Sequence, residues 1–299
     1  MIGRRHFLKG LLGLPLAGLA ASVYGFFFEP ALELRVQRWP ITPKGWPAGA
    51  KLRIAILTDI HACAPYLTLD RLDKIVARTN ALNPDVTVIL GDLPPACRFI
   101  TRAIPPEETA AVLAGLAAPL GIYAVLGNHD WWQDKLAQKR GAGPTRSGVA
   151  MGANGIQVLE NQALKLGEGA GAFWLAGLGD QLAFPNGRGG WRGVDDLPGT
   201  LAQVTDEAPV ILLAHEPDIF PQVPERVALT LSGHTHGGQV RFFGYSPVVP
   251  SDYGNRYAYG PVEERGHHLV VSGGLGVTNV PVRLGMPPEI TVVDIGRHA

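Results

Sequence analysis

Five short apolar runs, each broken off by a histidine, aspartate or asparagine, constrain this chain more than any other feature. Leu52–Leu57 (LRIAIL) leads into Thr58-Asp59-Ile60-His61, Val86–Leu90 into Gly91-Asp92, and Ile122–Leu126 into Gly127-Asn128-His129-Asp130. Val210–Leu213 leads into Ala214-His215-Glu216-Pro217, and Val227–Leu231 into Ser232 and the glycine-flanked stretch Gly233-His234-Thr235-His236-Gly237-Gly238-Gln239. Short continuous apolar runs closed by turn residues read as strands buried on both faces, as in parallel sheets. Between the first three lie helical patterns: Leu69, Leu72, Ile75, Val76 and Thr79 share one face, and a second helix opens at Pro105-Pro106 with Val112, Leu113 and Leu116 inward. Alternating strands and helices close as right-handed βαβ units, which puts the polar tips together at the carboxyl edge of a sheet, where α/β proteins bind their ligands.

The tips carry imidazoles, carboxylates and one amide, and no thiolate. That donor set suits Mn, Fe, Zn or Co better than Ca or Mg. Two such ions about 3.5–4 Å apart can share a carboxylate and a hydroxide, clamp a phosphate, and stabilise the entering and leaving oxygens of an in-line displacement. Two divalent ions held by two carboxylates and neutral ligands keep a net positive charge, for which phosphate is the natural guest.

The five tips together, DxH, GD, GNHD, H and GHxH in that order, resemble the calcineurin-like metallophosphoesterases. The resemblance spans Asp59 to His236. It implies an α/β fold, a four-layer sandwich of two mixed β-sheets flanked by helices, with a dinuclear metal site at the carboxyl ends of strands. It further implies that Asp59, His61, Asp92 and His236 hold one ion and Asp92, Asn128, His215 and His234 the other, with Asp92 bridging. His129, beside a ligand but not one itself, protonates the leaving oxygen or stabilises charge in the transition state. The function implied is hydrolysis of a phosphoester by in-line attack of a metal-bridging hydroxide, the cofactors being two divalent metal ions.

The amino terminus points to export. Gly3 to Gly10 (GRRHFLKG) is a basic region, and Leu11 to Phe28 is a run of 18 residues without charge. Arg4 and Arg5 ahead of Phe7, Leu8 and Lys9 resemble a twin-arginine signal. The segment is either removed or kept as a membrane anchor; small residues from Ala17 to Ser22 offer a cleavage site, while the uncharged length approaches a bilayer span. Residues 1–30 are thus expected as signal or anchor, 31–50 as a strand and linker, and 51–299 as the metallophosphoesterase domain, working outside the cytoplasm. Relatives with such leaders act on envelope phosphoesters, including lipid-linked sugar nucleotides, so the expected partners are a phosphodiester or pyrophosphate substrate with a lipid or glycan part, and the membrane.

Two readings compete: a non-catalytic envelope-binding protein whose metal centre is structural, and a nuclease. Lysine and arginine together balance aspartate and glutamate at 26 each, which weakens the nuclease. There is no GxxxxGK loop, no HExxH and no GxSxG elbow, against kinase, zincin and serine-hydrolase chemistry.

Ala31–Trp39, Gln162–Leu166, Phe173–Leu178, Gln239–Phe243, Leu269–Ser272 and Glu289–Val293 are further strand expectations, the last three in a smaller second sheet. The glycine-rich segment from Phe184 to Asp196 reads as an exposed loop that either meets substrate or connects. Trp131 and Trp132 either pack or line the pocket, and Arg283 makes either a salt bridge or a phosphate contact. His6, His267, His268 and His298 read as solvated. Cys63 and Cys97 form a disulfide or remain two thiols under the loops.

Overall fold

Two six-stranded sheets lie face to face and share an apolar layer in a computed structural model that describes residues 16–296. The first holds β1 (Arg35–Pro40), β2 (Leu52–Leu57), β3 (Val86–Ile89), β4 (Ile122–Ala124) and β5 (Gln157–Val158), closed by β12 (Glu289–Ile295), in the order β1-β12-β2-β3-β4-β5. The second holds β6 (Gln162–Leu166), β7 (Phe173–Gly177), β8 (Val210–Leu213), β9 (Val227–Ser232), β10 (Gly260–Glu264) and β11 (His267–Val271), in the order β10-β11-β9-β8-β7-β6. Strands β2, β3 and β4 run parallel, as do β7, β8, β9 and β11. Each sheet is mixed: β12 runs antiparallel to β2, and β6 and β10 are antiparallel edges.

The apolar alternation of the runs explains the layers. Ile54 and Ile56 of β2 pack with Val88, Ile211, Leu213, Leu229 and Leu231 between the sheets. Leu57 and Ile89 face the other way, onto Leu72, Ile75 and Val76 of α1 (Leu69–Asn80) and Leu113 of α2 (Pro106–Leu113). Thr68 caps α1 by accepting from Arg71 N. A third cluster, with Leu212, Phe220, Tyr257 and Leu269, covers the outer face of the second sheet. The four-layer α/β sandwich expected from the sequence is the architecture found.

Several local expectations change. Glu289–Ile295 is not in the second sheet: it sits in the first, between β1 and β2, with Val293 opposite Ile54. Alternation identifies a strand but not its neighbour, which long-range packing chooses. Gln239–Phe243 is no strand, because Gln239 and Phe243 adopt φ of 58° and 50°, outside the extended region; only single bridges form there. The strand expected over Ala31–Trp39 starts at Arg35, because 29–32 is helical, with Pro30 in its first turn and the Glu29 carboxylate accepting from Gly285 N and Met286 N. Paired along its length with β12, β1 ties the segment 31–50 into the first sheet. His267 is buried, edge-on to Phe220, where the sequence suggested a solvated ring.

The arginine pair, Lys9 and the terminal His6 and His298 lie outside the described residues. Residues 16–32 are helical, and among the described residues no helix is long and apolar enough to cross a membrane.

Candidate metal centre

The carboxyl ends of β2, β3 and β4 in one sheet meet those of β8 and β9 in the other, and all seven side chains expected as ligands come to this junction. His234 N donates to both oxygens of Asp59, at 3.1 and 3.0 Å, so the DxH and GHxH tips are joined directly. The His215 ring donates through Nδ1 to the Leu90 carbonyl, joining the HE and GD tips. Asp59, His61, Asp92, Asn128, His215 and His236 are all buried.

Asp92 is central. Its Oδ2 stands 3.4 Å from His61 Nε2 and 3.3 Å from His215 Nε2, while Oδ1 accepts from His129 N at 2.8 Å. His236 Nε2 lies 3.3 Å from Asp59 Oδ1 and 3.2 Å from His61 Nε2, and His234 Nδ1 lies 3.0 Å from Asn128 Oδ1.

Electrostatics show what the cluster fits. Burial holds His61 neutral, its pKa pushed down to about 3, and its Nδ1 donates to the Pro94 carbonyl at 2.8 Å. A neutral ring that donates through Nδ1 presents a bare lone pair at Nε2. That lone pair faces the Asp92 carboxylate, acceptor against acceptor. His215 Nε2 is likewise buried with no hydrogen-bond partner. Burial pushes the Asp59 carboxyl up to about 7, and Asp92 nearby adds to the rise. Burial also works against the ionised form of Asp92, but His215, His129 and His61 together hold it well below the usual range. Burial pushes His236 well down, and His61 and the Arg283 guanidinium reinforce the shift. Burial keeps His61, His234 and His236 neutral, while at His215 the Asp92 carboxylate outweighs burial and raises the ring well above the usual imidazole range; bare ring nitrogens and carboxylates crowded together in this way fit divalent cations. Asp59, His61 and His236 bring ligand atoms together in one such group, and Asp59, Asp92 and His215 in another.

The backbone is bent to make this possible. Asp59, His61, Asp92, His234 and His236 all have φ between 42° and 66°, a left-handed conformation that non-glycine residues adopt at a cost of roughly 1–3 kcal/mol each. Gly127 has no room for a side chain: a Cβ there would stand 2.4 Å from Asp92 Oδ1 and 2.6 Å from His215 Cε1. Gly127→Ala is therefore expected to push these two groups apart, lowering bound metal by elemental analysis and destabilising the fold by about 1–3 kcal/mol in thermal unfolding. Unchanged metal content would show that the loops yield.

Sequence reasoning missed several supports. Asp130, the last residue of the GNHD tip, accepts from Asp92 N, Leu93 N and Gly127 N at 2.8, 3.1 and 2.9 Å, so one buried carboxylate clamps two tips. Its place three residues after Gly127, at the start of α3 (Asn128–Trp132), is the capping-box position that could have revealed it. Arg283 makes neither a salt bridge nor a surface contact. It is fully buried and donates to the carbonyls of Gly273, Gly276 and Met286, with Nη2 3.3 Å from His236 Nδ1. Pro94, two residues after Asp92, supplies the carbonyl that orients His61.

A groove of about 930 Å³ opens over the cluster, lined by Asp92, Asn128, His129, His234 and His236 on its floor. Its walls come from loops rather than an inserted domain. Trp132 lines it and stacks on Trp191 of the glycine-rich loop, ring centroids 4.1 Å apart, whereas Trp131 is buried against Phe184. Asp180, beside Glu216 of the wall, is held well above the usual carboxylate range by burial and by that neighbour's charge. Cys63 and Cys97 stand as free thiols in one small buried cluster with Tyr66 and Val277.

The family model of the calcineurin-like phosphoesterases matches residues 52–238, the stretch that contains every one of these tips. The chain belongs to that family. It is 32% identical to the metallophosphoesterase YkuE of Bacillus subtilis, over 98% of both chains. A metallophosphoesterase of Aquifex aeolicus is 30% identical, over 88% of this chain and 92% of its own. The zebrafish (Danio rerio) transmembrane protein with metallophosphoesterase domain is 31% identical, over 87% of this chain and 55% of its own. As a calcineurin-like phosphoesterase the chain is a phosphoester hydrolase, and its family implies divalent metals.

Proposed function

We propose that Asp59, His61, Asp92 and His236 hold one divalent ion and Asp92, Asn128, His215 and His234 a second, in an enzyme that cleaves a phosphodiester or pyrophosphate in the cell envelope. The observation that carries this is the position of Asp92 Oδ2, between His61 and His215 with both ring nitrogens within 3.4 Å. When bound, Mn, Fe, Zn or Co ions would supply Lewis acidity and an activated water at neutral pH.

The chain's own residues do the rest. Asp92 and Asn128 fix the floor of the groove, and His129 projects from the first turn of α3 into it. Gln133 Nε2 donates to the Pro95 carbonyl at 2.6 Å and lies 3.1 Å from His129 Nδ1, so Nδ1 accepts and the neutral ring keeps its proton on Nε2. An imidazole in that tautomer offers an Nε2–H donor to charge developing on a leaving oxygen, and transfers a proton outright once Nδ1 is also protonated. The Trp132–Trp191 stack offers a flat apolar wall to the part of the substrate beyond the phosphate.

The finer substrate class rests on composition. Glu216, Asp218 and Asp252 line the groove, and no lysine or arginine does among the described residues, which disfavours a long polyanion and hence the nuclease reading. Export by the twin-arginine route, from the leader sequence, gives access to envelope phosphoesters with a lipid or glycan part. The zebrafish relative's name places such a domain in a transmembrane protein, which is consistent with work at a membrane.

The test is hydrolysis of bis(p-nitrophenyl) phosphate by the purified full chain, followed by lipid-linked and free sugar-nucleotide substrates. Chelation should abolish turnover and Mn should restore it. Turnover indifferent to chelator overturns the metal assignment, and a preference for free nucleotides overturns the lipid-linked class.

A further inference from the structure

An exposed aromatic turn stands beside the groove. Phe242 and Tyr245 exchange backbone hydrogen bonds of 2.9 Å around Phe243-Gly244, whose φ values of 50° and 82° make a tight reversal. Phe243 is fully exposed at the tip, with Phe242, Tyr245 and Val248 exposed around it. Apolar residues this prominent at a strained turn do nothing for the core.

The second observation is the helical segment that begins at residue 16. Leu16, Leu19, Val23, Tyr24, Phe27 and Phe28 are exposed, and every residue from 16 to 24 is solvent-facing, so this part of the helix stands off the body. A helix apolar on every side belongs in an apolar medium.

Helix and turn flank one strip of chain. Arg283 N donates to Gly25 O at 2.9 Å on one side, and Arg241 N donates to Leu284 O at 2.9 Å on the other. The Gln239 side chain then bonds to Thr278 and Val280, and Thr278 and Asn279 line the groove. The two apolar projections and the mouth of the groove thus share a short, hydrogen-bonded frame.

We propose that the Phe242–Tyr245 turn inserts into the surface of a lipid bilayer, as a second contact beside the helical segment, and sets the groove at the level of lipid headgroups. Charge favours a bilayer over a second copy of the chain. The sequence ahead of Leu16 continues the apolar run from Leu11 and carries Arg4, Arg5 and Lys9 with no acid, which complements anionic headgroups. A single protruding tip is also a poor dimer face, since stable interfaces bury about 800 Å² per partner. This deepens the reading of an envelope hydrolase and rests on it for the substrate, an amphiphilic phosphoester, but not for the surface itself.

The test uses the full chain carrying Phe243→Trp, its emission taken as the difference from the parent protein. Vesicles of phosphatidylethanolamine and phosphatidylglycerol should shift that emission to shorter wavelength, and brominated acyl chains should quench it. In parallel, Phe242→Ser with Phe243→Ser should raise KM roughly tenfold or more for a phosphoester embedded in vesicles, leaving bis(p-nitrophenyl) phosphate hydrolysis unchanged. Emission that stays constant while the protein floats with vesicles overturns the proposal. A shift that follows protein concentration without lipid also overturns it, in favour of self-association. Because the fluorescence readout needs no turnover, failure of the lipid contact is distinguishable from failure of the substrate reading.

Discussion

Asp92→Asn is expected to bind fewer metal ions than the parent protein and to lose hydrolysis by about 10³-fold or more, equivalent to about 4 kcal/mol of barrier at 1.36 kcal/mol per decade. The reason is geometric. Oδ2 faces both His61 and His215, and Oδ1 is already engaged by His129 N, so an amide that puts its nitrogen in the first position offers donors where two ion sites need an acceptor. Elemental analysis after dialysis, alongside turnover at saturating Mn, reads the two effects separately. A variant that keeps its full metal complement and its rate refutes the bridging role.

His129→Ala should behave differently. The ring lies edge-on to His61, with centroids 5.0 Å apart, and brings a nitrogen within 4.8 Å of ligand atoms on His61 and Asp92, but its Nδ1 is tied to Gln133 and the proposed pair takes no ligand from it. Metal content should therefore stay at the parent level while kcat falls roughly 10²–10⁴-fold, the usual worth of a placed general acid. The loss should be greatest for substrates with poor leaving groups, which depend most on a proton from the enzyme, and least for p-nitrophenyl esters. Metal lost together with activity would instead make His129 a ligand.

The two variants differ because neighbouring residues on one tip do different work. Asn128 and His129 begin the same helix, yet Asn128 is buried against His234 while His129 faces the groove, and Asp130 turns back to clamp the loops. Spacing along the tip showed that all three are close to the site. Helical geometry sends successive side chains about 100° apart, and only the surrounding packing assigns each direction its role.

Other parts were illegible for physical reasons of the same kind. Arg283 lies 47 residues from His236 along the chain, and nothing local marks it as a buried post for three carbonyls. Trp191 sits in a glycine-rich loop that read equally well as a connector, because its stacking partner, Trp132, is supplied by the distant helix α3. Gln239–Phe243 has the composition of a strand, but left-handed residues at both ends turn it into part of a loop that reaches past the groove to the aromatic turn.

Alone, the sequence determined the alternation of buried strands and amphipathic helices, the carboxyl-edge location of the polar tips, and the donor set, since periodicity and turn chemistry are local properties. Tertiary structure alone decided that the last strand closes the first sheet, that Asp92 stands between two imidazoles, that Arg283 and Asp130 brace the tips, and that apolar projections adjoin the groove. Those outcomes depend on which distant segments pack together, a contest settled by burial across the whole chain and not by any stretch of it.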